Sequence, residues 1–289
     1  MPLTVATPPA PHETLPMFSI TEPLAARVHA LGLEQAVQQL TSDGWALIDS
    51  GVTPAFLEEV RSAAHGAALA QQGAYFGTAE HSYSADMLLE KGDVFVRAIL
   101  NERLLTMVEF MCGAGAVLSQ VSSSVRLPGA PSMPLHCDQA WMPAPYPEHN
   151  SMMTACWYLD DIDHPDAGAT KVIAGTHRHR RQPSKEEAAQ QEDAVAILCP
   201  KGSIALLDGR VWHANYPRQA EGERVVLHTT YCRGVFRSLE DYGATADHIV
   251  AKYGAPAARL FGRESWFGNK TFNSGAIDPA KFQNTYAGR

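Results

Sequence analysis

The sequence predicts a mostly β protein with flanking helices, whose short strands form an antiparallel sandwich or jelly roll. Two observations carry this prediction. Before residue 115, apolar side chains recur at helical spacing, whereas after it short apolar runs alternate with turn residues. No unit of roughly 20–50 residues repeats. Because the composition shows no clear break, we expect a single domain over residues 1–289.

The composition limits the classes of partner. With 45% hydrophobic and 19% charged residues, the chain can bury a sizeable core. Its net charge of −8 argues against a nucleic-acid partner, because the basic run HRHRR at 177–181 is too short to outweigh it. We expect no signal peptide and no membrane partner, since there is no basic and apolar leader and no run approaches ~18 apolar residues. Five scattered cysteines favour reduced thiols and a cytoplasmic location, while the oligomeric state stays open.

The predicted domain has four segments in chain order. They are a loose N-terminal arm (1–20), a mainly helical N-terminal layer (21–115), a β core that carries the functional residues (116–235) and a C-terminal elaboration that is a candidate lid (236–289).

Helical spacing of apolar residues marks three segments of the N-terminal layer. The first spans 33–44 and should stop at Gly44, and the last lies near 102–112. The middle helix should begin at Thr53 and Pro54, which suit an N-cap and a first helical position. Between the first two helices, WALID at 45–49 is short and apolar and predicts a strand.

Strand-like apolar runs continue through the rest of the chain. Asp208 and Gly209 form a strong turn signal between two of these runs. The predicted strand segments are 116–127, 134–141, 152–162, 170–175, 193–199, 202–214 and 224–235.

The stretch MPLHCDQAW, at 133–141, places His136 and Asp138 two positions apart. On a strand these side chains share a face, so the imidazole and the carboxylate can occupy adjacent positions on a divalent metal. Two histidines and one carboxylate around open positions are typical of non-haem Fe(II) oxygenases. The expected third ligand is His213, in DGRVWHANYP on a later strand.

Arg224 heads a β-branched run that should lie in the core sheet. A buried arginine needs an anionic partner, and its planar guanidinium suits a carboxylate held by two hydrogen bonds. The alternative is a surface ion pair with Glu221 or Glu223.

This ordered set resembles the Fe(II)/2-oxoglutarate-dependent dioxygenases, in particular the phytanoyl-CoA dioxygenase-like branch. The stretch CWYLDDIDHPDAGATKVIAGTHRH, at 156–179, is similar to a segment typical of that branch, with Ala174 where proline is usual. In GSIALLDGRVWHA, Ser203 stands where aspartate is common. The resemblance covers residues 30 to 240.

The resemblance implies a double-stranded β-helix, the cupin-like jelly roll, and an enzyme that uses Fe(II) with 2-oxoglutarate and O2 as co-substrates. His136, Asp138 and His213 would bind the metal and be catalytic, and Arg224 would bind the distal carboxylate of 2-oxoglutarate. The residues Thr170, Trp157 and Asn215 match positions that line the co-substrate pocket in relatives. An intact Asp138 favours hydroxylation or a related oxidation over halogenation, because halogenating relatives replace this carboxylate with glycine or alanine.

The substrate is expected to be a small organic molecule such as a natural-product intermediate. The aromatic, proline-rich loop after the H-x-D stretch makes Trp141 and Tyr146 candidate substrate contacts. An acyl-CoA or carrier-tethered substrate is the alternative within the same chemistry. A catalytically silent β-helix protein that binds a metabolite is the alternative from another class, and a zinc hydrolase would need a water-activating base that the sequence does not offer.

Overall fold

The computed structural model describes residues 21–73, 81–191 and 193–264. The predicted N-terminal arm and residues 265–289 of the candidate lid lie outside these ranges. The helices are α1 (Glu22–Ala30), α2 (Glu34–Asp43), α3 (Pro54–Gln71), α4 (Asp93–Ile99), α5 (Glu102–Cys112), α6 (Lys185–Gln190), α7 (Gly243–Tyr253) and α8 (Ala255–Leu260). The strands are β1 (Trp45–Asp49), β2 (Ser82–Ala85), β3 (Val117–Arg126), β4 (Met152–Tyr158), β5 (Thr170–Ile173), β6 (Val195–Ala196), β7 (Ser203–Asp208), β8 (Trp212–Asn215) and β9 (Arg224–Cys232).

The three predicted N-terminal helices are present as α2, α3 and α5, and the predicted strand at 45–49 is β1. Helix α2 ends at Gly44, whose φ of 80° is a left-handed conformation that glycine adopts without strain. Helix α3 begins after Thr53, whose hydroxyl accepts a hydrogen bond from the backbone N–H of Phe56 at 3.2 Å.

Two antiparallel sheets form the β core. The larger has six strands in the order β1-β7-β4-β9-β3-β2, and the smaller has three in the order β6-β5-β8. The edge strands β1 and β2 come from the segment predicted as a mainly helical layer, so that segment also completes the large sheet. The mostly antiparallel β architecture with flanking helices confirms the predicted fold class.

The two faces of the large sheet are buried in different ways. In β4 and β9, Trp157 and Leu227 point toward the helices and belong to the largest hydrophobic cluster. Their sequence neighbours Tyr158 and Val226 belong to a second cluster, which includes Val172 of the small sheet. The helices therefore cover one face, and the space between the two sheets lies on the other.

Two of the predicted strand segments form little or no regular strand in the structure, and one turn has a different role. In the segment 134–141 only His136 makes a β-bridge, to His213, and 193–199 contributes only the two residues of β6. The turn at Asp208 and Gly209 is present, but β7 and β8 belong to different sheets. Both carboxylate oxygens of Asp208 accept from the Arg210 guanidinium, at 2.9 and 2.6 Å, which stabilises the crossing between sheets.

Across the described ranges, no helix has the length and apolar character needed to cross a bilayer.

Candidate active site

His136, Asp138 and His213 meet between the two sheets. Each offers one ligand atom, and these atoms all lie within 4.8 Å of one another. The Nε2 atoms of both histidines are 3.6 Å from Oδ1 of Asp138. The backbones of the two histidines are also joined, by hydrogen bonds of 3.0 and 2.8 Å between N–H and C=O groups. The β-bridge therefore brings two candidate metal-ligand side chains together from positions far apart in the sequence.

The other ring nitrogen of each histidine is hydrogen-bonded to a backbone carbonyl. Nδ1 of His136 lies 2.8 Å from the carbonyl of Pro134, and Nδ1 of His213 lies 3.1 Å from that of Val211. A carbonyl can only accept, so each Nδ1 carries a proton, and in the neutral ring Nε2 carries the lone pair. This is the tautomer that a metal ligand requires.

The electrostatics of the three groups suit a divalent cation. Burial alone would raise the pKa of the Asp138 carboxyl, but His213, His136 and a hydrogen bond from Thr154 hold that pKa well below its usual range. Burial lowers the pKa of His213. Burial also acts to lower the pKa of His136, but the hydrogen bond and charge of Asp138 outweigh it and raise that pKa. The site thus holds a full negative charge beside a neutral His213 at neutral pH.

The side chain of Gln182 holds the peptide between the first two ligands. Its Oε1 accepts from the N–H of Cys137 at 3.0 Å, and its Nε2 donates to the Cys137 carbonyl at 2.7 Å. On the other side, the hydroxyl of Thr154 donates to Oδ2 of Asp138 at 2.6 Å, which leaves Oδ1 facing the histidines. These contacts fix the H-x-D loop, in which only His136 pairs with a neighbouring strand.

A second polar group lies deeper in the same space. Arg224 is 3% exposed, and its Nη2 donates to Thr170 Oγ1 at 3.3 Å. The Tyr158 hydroxyl donates to the same oxygen at 2.7 Å, and the Arg224 guanidinium carbon lies 5.5 Å from the Tyr158 ring centroid. Nε of Arg224 is buried and has no hydrogen-bond partner among the described residues. A buried guanidinium with an unused donor fits a bound carboxylate.

A cavity of about 630 Å³ joins these groups. The three ligand residues line it together with Thr170, Asn215 and Arg224, and side chains of the large sheet form its floor. This volume accommodates a small organic acid beside a second small molecule. The residues present therefore fit both a divalent metal and 2-oxoglutarate, since the ligand set is mixed imidazole and carboxylate and the arginine has an unused donor.

The model of the phytanoyl-CoA dioxygenase (PhyH) family matches residues 40–226. The protein belongs to this family. The match confirms the predicted family and, with it, the predicted dioxygenase class of enzyme.

Individual relatives agree with the family assignment. The dioxygenase af480 of Aspergillus fumigatus is 27% identical over 223 residues, which cover 74% of this chain and 71% of that protein. HygX from Streptomyces hygroscopicus, crystallised with nickel and 2-oxoglutarate, shares the fold with a TM-score of 0.60 at 17% identity, over 71% of this chain and 88% of that one. SnoK, a non-haem α-ketoglutarate-dependent carbocyclase from nogalamycin biosynthesis, has a TM-score of 0.58 at 14% identity, over 69% and 83% of the two chains.

Within this family fold, the structure does not bring every predicted site residue to the cavity. Trp157 is fully buried and packs toward the helices, because it has the opposite parity to Thr154 and Cys156, which line the cavity. The prediction that Trp157 lines the co-substrate pocket has no support in this geometry. Thr170 and Asn215 do line the cavity, and Asn215 Oδ1 accepts from the N–H of Met133 at 3.0 Å.

The two predicted substrate contacts also differ in position. Trp141 lines the cavity and is 72% exposed, so it stands at the mouth. Tyr146 is 2% exposed and packs with Leu135 and Cys137 in a small cluster behind the H-x-D loop. It is not among the cavity-lining residues, because the loop turns its ring inward, and the predicted contact between Tyr146 and the substrate has no geometric support.

The cavity-lining residues that the sequence analysis did not single out include Gln182, Cys156 and His228. Nε2 of His228 lies 2.9 Å from the Ser124 hydroxyl, and its Nδ1 lies 3.4 Å from the Cys156 sulfur. His228 follows Arg224 by four positions on β9, so strand alternation places both on the same face. That spacing was a usable signal, whereas nothing near Gln182 in the sequence points to Cys137.

Proposed function

We propose that the protein is a non-haem Fe(II)- and 2-oxoglutarate-dependent oxygenase. It oxidises an unactivated C–H bond of a small organic molecule, by hydroxylation or a related oxidation. The reaction consumes the substrate, O2 and 2-oxoglutarate and yields the oxidised product, succinate and CO2. One observation carries the proposal: a buried arginine with an unused donor shares a cavity with three ligand atoms that lie within 4.8 Å of one another. A catalytically silent metabolite-binding protein would need neither the three clustered ligand atoms nor the buried arginine with an unused donor.

The residues have distinct roles in this proposal. His136, Asp138 and His213 hold Fe(II) through Nε2, Oδ1 and Nε2. Bound together, iron, 2-oxoglutarate and O2 supply the oxidising chemistry that no protein side chain has. Arg224 binds the distal carboxylate of 2-oxoglutarate, and Thr170 orients that guanidinium, because it accepts a hydrogen bond from it. Thr154 keeps the Asp138 carboxylate turned toward the metal position.

Comparison with neighbours of the same fold supports a natural-product substrate. HygX has been crystallised with hygromycin B, and the epimerase SnoN with nogalamycin RO. The alternative of an acyl-CoA or carrier-tethered substrate would call for several cations to hold phosphates. Among the described residues that line the cavity, Arg224 is the single lysine or arginine. The geometry therefore supports a free small molecule.

The proposed cellular location is the cytoplasm. All five cysteines are free and buried, which suits a reducing compartment.

The proposal is tested by measuring succinate formed from 2-oxoglutarate in air, with and without Fe(II). We expect slow, Fe(II)-dependent succinate formation even without the substrate, and its loss in Asp138→Ala. Asp163→Ala is the matched control, because Asp163 is an exposed carboxylate outside the cavity. Succinate formation that is absent from the wild type or that persists in Asp138→Ala would contradict the proposal.

A further inference from the structure

The strand order of the large sheet divides the cavity into two ends. Asp138 is anchored on Thr154 of β4, and Arg224 lies on β9, so the metal and co-substrate positions lie over β4 and β9. The sheet continues from β9 to β3 and then to β2 at its edge. With roughly 4.8 Å between neighbouring strands, β2 lies about 10 Å from β9. Considering the described residues, the part of the cavity over β3 and β2 is therefore the part available to the substrate.

The wall of the cavity at this end is polar. Gln120 and Ser122 of β3 and Ser84 of β2 line it, and so does Asp86, which directly follows β2. Asp86 comes two positions after Ser84, and Ser84 lies opposite Ser124 of β3. We call Ser84, Asp86, Gln120 and Ser122 the polar wall. Three of its side chains are neutral hydrogen-bonding groups, and one is a carboxylate.

The Asp86 carboxylate is not neutralised by a neighbouring cation among the described residues. The Lys91 ammonium donates to the Asp86 backbone carbonyl at 2.6 Å, and it forms no ion pair with the Asp86 carboxylate. A second carboxylate, Glu240, lies near enough for Asp86 to contribute to raising its pKa, after burial. Glu240 itself accepts from the N–H groups of Met87 and Val121, both at 2.8 Å. Asp86 thus remains the carboxylate that a ligand can reach.

The charges elsewhere in the cavity balance once the metal and co-substrate are bound. A divalent metal and Arg224 carry as much positive charge as 2-oxoglutarate and Asp138 carry negative charge. Asp86 is then the one carboxylate among the described lining residues that has neither an ion-pair partner nor a metal beside it. A cation bound there would be favoured, and a phosphate or carboxylate would be disfavoured, by several-fold at the least.

Two large apolar side chains lie at the mouth of the same cavity. Trp141 is 72% exposed and Leu239 is 49% exposed, and both line it. The loop that carries Leu239 is tied to β3, because its N–H donates to the Ser119 hydroxyl at 3.2 Å. Exposed apolar side chains at a cavity mouth are typical of a site that binds an apolar group, and an indole ring also attracts cations.

We propose that the polar wall is the substrate-binding subsite, and that it selects an amphiphilic amine whose protonated nitrogen pairs with Asp86 while its apolar body contacts Trp141 and Leu239. The inference rests on the proposed function, because the balance of charges assumes a bound divalent metal and 2-oxoglutarate.

The test measures binding to the anaerobic Fe(II)- and 2-oxoglutarate-loaded protein by equilibrium dialysis. The probes are phenethylamine, tryptamine and octylamine, each compared with its N-acetyl derivative, which has the same body without the charge. We expect at least one amine to bind about tenfold more tightly than its N-acetyl derivative. Asp86→Asn should abolish this preference, and the control Asp163→Asn, which removes an exposed carboxylate elsewhere, should retain it.

Two outcomes overturn the inference alone. If no amine is preferred, or if Asp86→Asn keeps the preference, the polar wall does not select a cation, while retention of 2-oxoglutarate by the loaded protein leaves the proposed function intact. If the protein fails to retain 2-oxoglutarate in the presence of Fe(II), the proposed function fails, and the inference falls with it. Because Asp86 is exposed, unchanged thermal unfolding of Asp86→Asn checks that the variant is folded.

Discussion

Gln182 binds both backbone polar groups of Cys137, which stands between the metal-ligand positions His136 and Asp138. Its amide oxygen accepts from the Cys137 N–H and its amide nitrogen donates to the Cys137 carbonyl. The side chain thereby supplies to Cys137 the two hydrogen bonds that a neighbouring strand would otherwise make, since only His136 of this loop is paired with a strand. Gln182 therefore positions the peptide that lies between the two candidate ligands. Its two hydrogen bonds are to the backbone and do not involve either ligand side chain.

Removing this amide should weaken metal binding. We expect Gln182→Ala to lower the affinity for Fe(II) by about 10–100-fold, because contacts that orient metal ligands typically contribute that much. Gln182→Glu keeps the acceptor but loses the donor to the Cys137 carbonyl, so its loss should be similar. Anaerobic equilibrium dialysis with Fe(II) measures the effect, and Gln190→Ala, an exposed glutamine on α6, is the control. An unchanged affinity in both Gln182 variants would show that the loop is held by other contacts.

Arg224 should act on the co-substrate and leave the metal in place. Arg224→Ala is expected to raise KM for 2-oxoglutarate by about 10–100-fold, the effect of losing a charge-assisted pair with a carboxylate. Fe(II) affinity should stay within about twofold, since Arg224 is not a metal ligand. Steady-state succinate formation at varied 2-oxoglutarate measures KM, with exposed Arg237→Ala as the control. If KM were unchanged, the assignment of the carboxylate-binding arginine would be wrong.

The hydroxyl of Thr170 should matter more than its methyl group. Thr170 Oγ1 accepts from both Tyr158 and Arg224, so Thr170→Val leaves two buried donors without this partner. We expect KM for 2-oxoglutarate to rise about fivefold in Thr170→Val. Thr170→Ser keeps the oxygen and should remain near the wild type. Equal effects of the two substitutions would mean that packing, and not the hydrogen bonds, sets the position of Arg224.

The stability of the protein should depend on the protonation of His228. Burial, and then the charge of Arg224, lower the pKa of His228 from 6.5 to about 4, although Asp138 opposes this shift. Between pH 6.5 and 4 the unfolded chain therefore binds a proton at this position that the folded protein does not. The free energy of unfolding should fall as pH decreases through that window, by about 3 kcal/mol at most from this group.

Urea unfolding of the metal-free protein at several pH values between 6.5 and 4 measures this dependence. His228→Asn should show a shallower decrease than the wild type, because it lacks the titrating ring. His248→Asn, which changes an exposed histidine on α7, should retain the wild-type slope. If His228→Asn and the wild type had the same slope, the buried neutral state of His228 would not contribute.

The predictions from the sequence agree best with the structure where a local sequence pattern identifies the functional residue or the helix end. The H-x-D spacing of His136 and Asp138 and the position of Arg224 at the head of a β-branched run are local features, and the structure places all three around one cavity. The helix ends at Gly44 and Thr53 follow from the residue types that stabilise such ends. The antiparallel strands follow from short apolar runs between turns.

The face of a fully buried strand is harder to predict. All seven residues of β4 are buried, so the sequence lacks the alternation that tells which side chains face the cavity. The resemblance therefore matched Trp157 to a position that lines the pocket, whereas its ring packs toward the helices in the structure. Gln182 was missed for another reason, since its contact with Cys137 joins positions 45 residues apart and depends on how two loops pack.

The most direct measurement is an anaerobic titration of the metal-free protein with Fe(II) and then with 2-oxoglutarate, followed by visible absorption. Chelation of Fe(II) by the 2-oxo acid produces a weak charge-transfer band, which neither component shows alone. The account predicts that this band appears at one equivalent of each in the wild type and is lost in His213→Ala. If Fe(II) bound and the band did not appear, the co-substrate assignment would be contradicted, and if Fe(II) did not bind, the metal site itself would be.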